Sequence, residues 1–227
     1  MKLVVTNDDG YDEPGLATLF DALASMGEVL TVAPRHPQSS CGHWVTLREP
    51  IHVERISDIA YIVDGSPADC TRLAVKRFAT DADWVIAGIN PGANLGSDLY
   101  QSGTVAAARE AAILGYKAVS ISQYIAPDQK IDWEITGSHV SKMLSIIMKK
   151  PLKKGQFWNI NMPHPLESSI FPEFEYCEPD KNPHIYLYQK NSEHYLYTGV
   201  IHNRPRAAGS DVDLCFGGKI SVSLLEI

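Results

Sequence analysis

The segment Thr6-Asn7-Asp8-Asp9-Gly10 sets two adjacent carboxylates and a glycine directly after the apolar run Leu3-Val4-Val5. In an open α/β sheet, ligands bind at the carboxyl ends of the strands. Two acids there, with few basic residues nearby, suit a hard divalent cation. Asp and Gly are also ordinary turn residues, so in isolation the segment reads as a turn more readily than as a site. Adjacent residues of a strand point to opposite faces. Both carboxylates can therefore serve one ion only if the chain turns at them, which Gly10 permits.

Two later loops add to this chemistry. Residues 34–43 offer Ser39, Ser40 and His43. A serine hydroxyl is an acceptable oxygen ligand for a hard cation, whereas plain loop or capping roles are expected of Ser40 and His43. Cys41 lacks the Cys-x5-Arg spacing of a phosphatase nucleophile, since Arg48 stands seven positions on, and is expected to be inert. Residues 88–104 form a glycine-rich polar stretch with Asn90 and Asn94, whose amide oxygens can bind a cation and whose amide nitrogens can bind an anion. Ser102-Gly103-Thr104 stands where a helix begins. Free N–H groups and the positive dipole end make such a place a phosphate site, although simple capping by Ser or Thr explains the residues as well. Taken together, the three loops describe metal-assisted hydrolysis of a phosphomonoester, with the ion polarising a phosphoryl oxygen and acidifying water.

The elements that would position these loops alternate in type. Strands are expected at 3–5, 29–33, 45–53, 60–63, 84–87, 118–122 and 157–161. Pro14 is suited to the first turn of a helix that carries Leu16, Leu19, Phe20 and Leu23 at helical spacing and ends at Gly27. Ser66-Pro67-Ala68-Asp69 resembles a capping box for a helix running to about Phe78. Further helices are expected at 104–114 and 133–149. Continuous apolar strands alternating with helices imply a three-layer α/β core, a mainly parallel sheet covered on both faces. That core is assigned to residues 1–163. Residues 164–227 are read as a C-terminal extension, with an aromatic hairpin from Ile185-Tyr186-Leu187-Tyr188 and Tyr195-Leu196-Tyr197 and a closing strand at 220–224. The hairpin is too apolar for a free surface element and is expected to pack on another subunit.

Composition excludes several classes. The 227 residues carry 20 Lys and Arg against 27 Asp and Glu, a net charge of −7, which disfavours a stable nucleic-acid partner. No apolar run approaches a membrane span, and Met1-Lys2-Leu3-Val4-Val5 lacks a signal-peptide layout. Cys41, Cys70, Cys177 and Cys215 show no C-x-x-C pattern and are read as reduced thiols of a cytoplasmic protein.

Further motifs extend the pattern: Pro14-Gly15, Val32-Ala33-Pro34, Gln38-Ser39, Asp64-Gly65-Ser66-Pro67-Ala68-Asp69-Cys70, Gly88-Ile89-Asn90, Asn94-Leu95-Gly96, Tyr100 to Ala108, and Asn159-Ile160-Asn161-Met162-Pro163. In this order, and with Ile220 to Leu224, the chain resembles the stationary-phase survival protein (SurE) family along nearly its whole length. The resemblance implies a phosphohydrolase of nucleoside 5′- and 3′-monophosphates that uses one divalent cation per subunit, Mg²⁺ or Mn²⁺. It implies Asp8, Asp9, Ser39 and Asn90 as the metal ligands, with Asp8, Asp9 and Asn94 at the chemistry. Ser102, Gly103 and Thr104 would hold the phosphate. It leaves open whether Asp8 is base, nucleophile or ligand. It also implies a Rossmann-like core with a C-terminal extension that builds homodimers, often homotetramers. Ser40, Trp44, Ser97-Asp98 and Ser210-Asp211 depart from the common family pattern and bear on substrate preference.

The alternative from another class is a Mg²⁺-binding receiver domain, with Asp64 accepting a phosphoryl group and Lys117 beside it. Its length and the 88–103 loop speak against it. No G-x-G-x-x-G follows the first strand, and Gly218-Lys219 is followed by Ile220, which excludes a Walker-type loop.

Overall fold

A computed structural model describes residues 1–168 and 170–227. Six strands and four helices make up the first two-thirds of the chain: β1 (Lys2–Thr6), α1 (Pro14–Leu23), β2 (Glu28–Pro34), then β3 (Val53–Ser57), β4 (Ala60–Val63), α2 (Pro67–Leu73), β5 (Trp84–Pro91), α3 (Gly103–Ile113), and, after β6 (Lys117–Gln123), α4 (Trp133–Ile147). The chain continues through β7 (Gln156–Met162), β8 (Phe174–Tyr176), β9 (Tyr188–Asn191), β10 (His194–Tyr197), α5 (Asp211–Phe216) and β11 (Ile220–Glu226). The main sheet has nine strands in the order β3-β4-β2-β1-β5-β6-β7-β11-β8. Its central strands β4, β2, β1, β5, β6 and β7 are all parallel, so their carboxyl ends open on one edge. β3 and β11 join antiparallel to β4 and β7.

The alternation of strand side chains explains the layers. Leu3 and Val5 face one side of the sheet with Leu16, Leu19 and Leu23 of α1 and Val140, Met143 and Leu144 of α4. Val4 faces the other side with Cys70 of α2 and Val105, Ala107, Ala108 and Ala111 of α3. Both faces of β1 are therefore apolar over Leu3 to Val5, as a sheet covered on both sides requires. The alanine face of α3 lets that helix lie close on β5 and β6.

The capping box at Ser66 is present: Ser66 Oγ accepts from Asp69 N (3.1 Å) and Asp69 Oδ2 accepts from Ser66 N (3.0 Å). Pro14 opens α1 at its first turn.

Several expected boundaries move. Residues 45–52 are not strand; the ladder begins at Val53. The preceding backbone is held by α2 instead, with Thr46 N donating to Asp69 Oδ1 (2.9 Å) and Ser66 Oγ donating to Trp44 O (2.6 Å). β5 runs on through Gly88 to Pro91, with a register shift against β6 between Ala87 and Asn90. The hairpin is shorter on its first side, because β9 starts at Tyr188 rather than Ile185. β8 and α5 were not expected. β11 pairs with β7 from Ser221–Asn161 to Glu226–Gln156, so the C-terminal segment completes the core sheet.

Candidate active site

The loops after β1, β2 and β5 converge on the carboxyl edge of the sheet. Together they line a cavity of about 280 Å³ whose walls include Asp8, Asp9, Ser39, Asn90, Asn94 and Ser102. Six of the eight residues named from sequence thus meet in one place. Gly103 and Thr104 stand behind that wall, against Asp8.

The turn after β1 is self-contained. Asn7 Nδ2 donates to Gly10 O (2.7 Å), and Gly10, at φ 126°, occupies backbone space that a side chain would resist. This swings both carboxylates toward the cavity. Asp8 is 5% exposed. Its carboxylate accepts from the Thr104 hydroxyl, and the first amides of α3 lie close by. A Cβ on Gly103 would come within 2.7 Å of Asp8 Cβ, so only glycine allows α3 to begin there. Burial raises the Asp8 carboxyl above the usual range, opposed by Thr104 and the amides of Asp8, Thr104 and Gly103.

Asp9 is less well provided for. Its Oδ2 is buried with no hydrogen-bond partner. Burial, then the neighbouring Asp8 and Glu13, push its carboxyl up to about 7. An unpaired buried carboxylate oxygen costs free energy unless a cation or donor meets it.

The second loop is tied to the other two. Gln38 N donates to Asp8 O (2.7 Å) and Gly42 N to Gln101 O (2.9 Å). Ser39 is exposed on the cavity rim. His43 Nε2 pairs with Glu110 Oε2 (2.7 Å), and Arg72 Nε donates to Glu110 Oε1 (2.5 Å). His43 is thus an anchor for this loop, and the buried Glu110 was not recognised as its partner in the sequence. Burial and Asp8 raise the Cys41 thiol above its ordinary value, so it stays protonated.

Asn90 Nδ2 donates to Gly92 O (2.6 Å), which leaves its amide oxygen available as a ligand. Asn94 is fixed by a buried polar network. Its backbone N donates to Asn161 Oδ1 (2.8 Å), its O accepts from Asn159 Nδ2 (3.0 Å) and Asn161 Nδ2 (3.1 Å), and its own Nδ2 donates to Ser122 Oγ (2.8 Å). Ser102 Oγ caps α3 by accepting from Val105 N (3.0 Å). Its hydroxyl hydrogen remains free to donate into the cavity.

One wall comes from further along the chain. Asp98 lines the cavity and is clamped by Arg204 Nη1 (2.7 Å) and by His184 Nε2. Asp211 Oδ2 accepts from Gly96 N (2.8 Å) and Asp211 Oδ1 from Asp180 N (2.8 Å). The C-terminal segment therefore buttresses the loop that carries Asn94.

The Survival protein SurE family matches residues 3–184. The chain belongs to the SurE family. A protein of Synechocystis sp. is 43% identical over 227 residues, covering 100% of both chains. A protein named 5′-nucleotidase SurE, from Geotalea uraniireducens, is 34% identical over 100% of this chain and 93% of its own. The crystal structure of the SurE protein from Aquifex aeolicus superposes with a TM-score of 0.88 at 28% identity, over 100% of this chain and 93% of that one. The family fold is thus the mostly parallel α/β sheet described above.

The receiver alternative fails on geometry. Asp64, which follows β4, is held by Arg35 Nε (2.6 Å) and does not line the cavity of Asp8 and Asp9. Lys117 starts β6, so it lies at the amino end of that strand, opposite the carboxyl edge where Asp8 and Asp9 sit.

Proposed function

We propose that this SurE-family protein hydrolyses nucleoside 5′- and 3′-monophosphates to nucleoside and phosphate, using one divalent cation, Mg²⁺ or Mn²⁺, per subunit. The observation that carries the reading is the Asp9 Oδ2 atom, buried without a partner beside Asp8 in a cavity whose wall also offers the neutral oxygens of Ser39, Asn90 and Asn94. No group of three or more His, Cys, Asp or Glu is present among the described residues. Two carboxylates with serine and asparagine oxygens form a hard, oxygen-only donor set, which suits Mg²⁺ or Mn²⁺ better than a softer metal. The names of the 5′-nucleotidase relatives support the substrate class.

In this reading Asp8, Asp9, Ser39 and Asn90 hold the ion. When bound, such an ion supplies Lewis-acid polarisation of a phosphoryl oxygen and makes water more acidic. Thr104, through its hydroxyl, fixes the Asp8 carboxylate in one orientation. The positive end of α3, with Gly103 packed against Asp8, favours the ionised form of that acid and negative charge in the cavity. Ser102 donates its free hydroxyl hydrogen to a phosphate oxygen. Asn94, held by its four hydrogen bonds, presents a rigid polar wall opposite, which limits reorientation of the phosphate during reaction.

The exposed aromatic hairpin supports assembly. Tyr186, Leu187, Tyr188, Tyr195 and Leu196 are 52%, 53%, 61%, 65% and 66% exposed, and β9 and β10 pair only with each other. In this reading residues 1–163 are the catalytic core, and residues 164–227 add the hairpin through which homodimers, and from them homotetramers, form. The four free cysteines support a cytoplasmic setting. No helix is long and apolar enough to cross a membrane among the described residues.

The test is phosphate release from nucleoside monophosphates with Mn²⁺ and with EDTA. Metal-dependent turnover abolished by Asp9→Ala is expected. Equal release with EDTA, or full activity in Asp9→Ala, contradicts the reading.

A further inference from the structure

The catalytic cavity, at about 280 Å³, is small for a whole nucleotide, since pockets for drug-sized ligands span roughly 300–1,000 Å³. A second groove of about 390 Å³ lies along the opposite side of the same loop, lined by Arg35, His36, Gln38, Trp44, Thr46 and Ser66 among others. The walls of the two touch. Gln38, in the groove wall, donates its backbone N–H to Asp8 O (2.7 Å). A Cβ at Gly103 would lie 2.7 Å from Asp8 Cβ and 3.1 Å from Pro67 Cγ, so the start of α2 touches the catalytic acid through one glycine.

Trp44 is the unusual residue of this groove. Its side chain is 67% exposed, although a tryptophan is normally well buried. Nothing about its backbone is loose. Ser66 Oγ donates to Trp44 O (2.6 Å), and Thr46 donates from N (2.9 Å) and Oγ1 (2.8 Å) to Asp69. His43, one residue before, is held by Glu110. The chain thus anchors the backbone that carries the indole and leaves the ring itself exposed. An unpartnered aromatic face on an anchored loop next to a phosphate-handling cavity is what a flat heteroaromatic ring requires.

We infer that this groove is the nucleoside subsite: the base of the substrate stacks on the Trp44 indole while the phosphate reaches the cavity past Gln38. The inference rests on the proposed phosphomonoesterase reading for the location of the phosphate. His36 and Gln38 offer polar atoms along the path for the sugar and the base edge. Arg35 is already engaged by Glu54 (2.9 Å) and Asp64 (2.6 Å) and serves as wall rather than as a phosphate receptor.

The experiment compares adenosine 5′-monophosphate with ribose 5-phosphate, which carries the same phosphate and sugar without a base. In Trp44→Ala the ratio of kcat/KM between the two is expected to fall by about 5- to 100-fold, the range of base-stacking losses on alanine substitution, and to recover in part in Trp44→Phe. An unchanged ratio overturns the subsite while leaving hydrolysis intact. If the native protein hydrolyses neither compound, the proposed reaction fails instead. The groove is then judged by fluorescence titration with adenosine 5′-monophosphate and Mg²⁺: quenching in the native protein that is lost in Trp44→Phe upholds it, and identical quenching in both, or none, overturns it.

Discussion

Two sets of acids, one at the carboxyl edge of the sheet and one in the C-terminal segment, are treated in opposite ways. In the C-terminal segment, Asp211 accepts from the backbone N–H groups of Gly96, Asp180 and Val212, each at 2.8 Å. Asp180 accepts from Asn182 N (2.8 Å), Ala207 N (2.7 Å) and Ser210 Oγ (2.6 Å). At the carboxyl edge, Asp9 leaves an oxygen buried with nothing to meet it, the one such carboxylate oxygen among the described residues. Burial alone does not separate the two sets, because it raises both Asp211 and Asp9. The hydrogen bonds do. A buried acid surrounded by donors organises structure, whereas one left short of donors keeps room for a ligand of opposite charge.

Substitutions sharpen this contrast. The largest effect is expected from Asp9→Asn: kcat/KM on nucleoside monophosphates falls by at least about 100-fold, since even supporting partners of a metal site cost 10- to 100-fold. Its thermal stability in EDTA at pH 7 stays equal to that of the native protein or rises, because a charge without partners has been removed. Asp211→Ala should give the reverse pattern. It strands three amide donors, and denaturant unfolding is expected to show a loss on the order of 3 kcal/mol. Its folded fraction should still bind metal.

The pH dependence follows from Asp9 with its sign fixed by linkage. Its folded value of about 7 lies above the ordinary 3.8, so in that interval the folded chain holds a proton that the unfolded chain releases. The metal-free protein therefore loses this contribution as pH rises toward about 7 and levels off above it. Thermal melts in EDTA across that range should show this slope, and it should be shallower in Asp9→Asn, where the raised carboxyls of Asp8 and Asp211 remain. The smallest effect is expected from Thr104→Val, which deprives Asp8 of its hydroxyl donor and should lower kcat/KM by about 10-fold, with Thr104→Ser retaining most activity.

Much of this was legible in the sequence where local chemistry decides the outcome. Val4 between Leu3 and Val5 marks a strand buried on both faces, and Ser66-Pro67-Ala68-Asp69 declares a helix start. β8 was missed because three residues carry too little pattern, and its place depends on pairing with β11. α5 had a readable signal, Ser210 three residues before Asp213, which caps it through Ser210 Oγ. Gly88 hid the continuation of β5, because a glycine reads as a strand end unless its pairing with β6 is known. Within the site, Asp8, Asp9, Ser39 and Asn90 were nameable from type and position. The anchoring of Asn94 by Asn159 and Asn161, and the clamp of Arg204 and His184 on Asp98, join residues more than 60 positions apart and have no local signature.

The central claim is that Asp9, short of donors beside Asp8 at the carboxyl edge, holds a divalent cation. Calorimetric titration of the metal-free protein with Mn²⁺ tests it without any substrate. One site per chain in the native protein, lost or weakened at least tenfold in Asp9→Asn and retained in Asp211→Ala, is the expected result. No binding by the native protein, or equal affinity in Asp9→Asn, contradicts it.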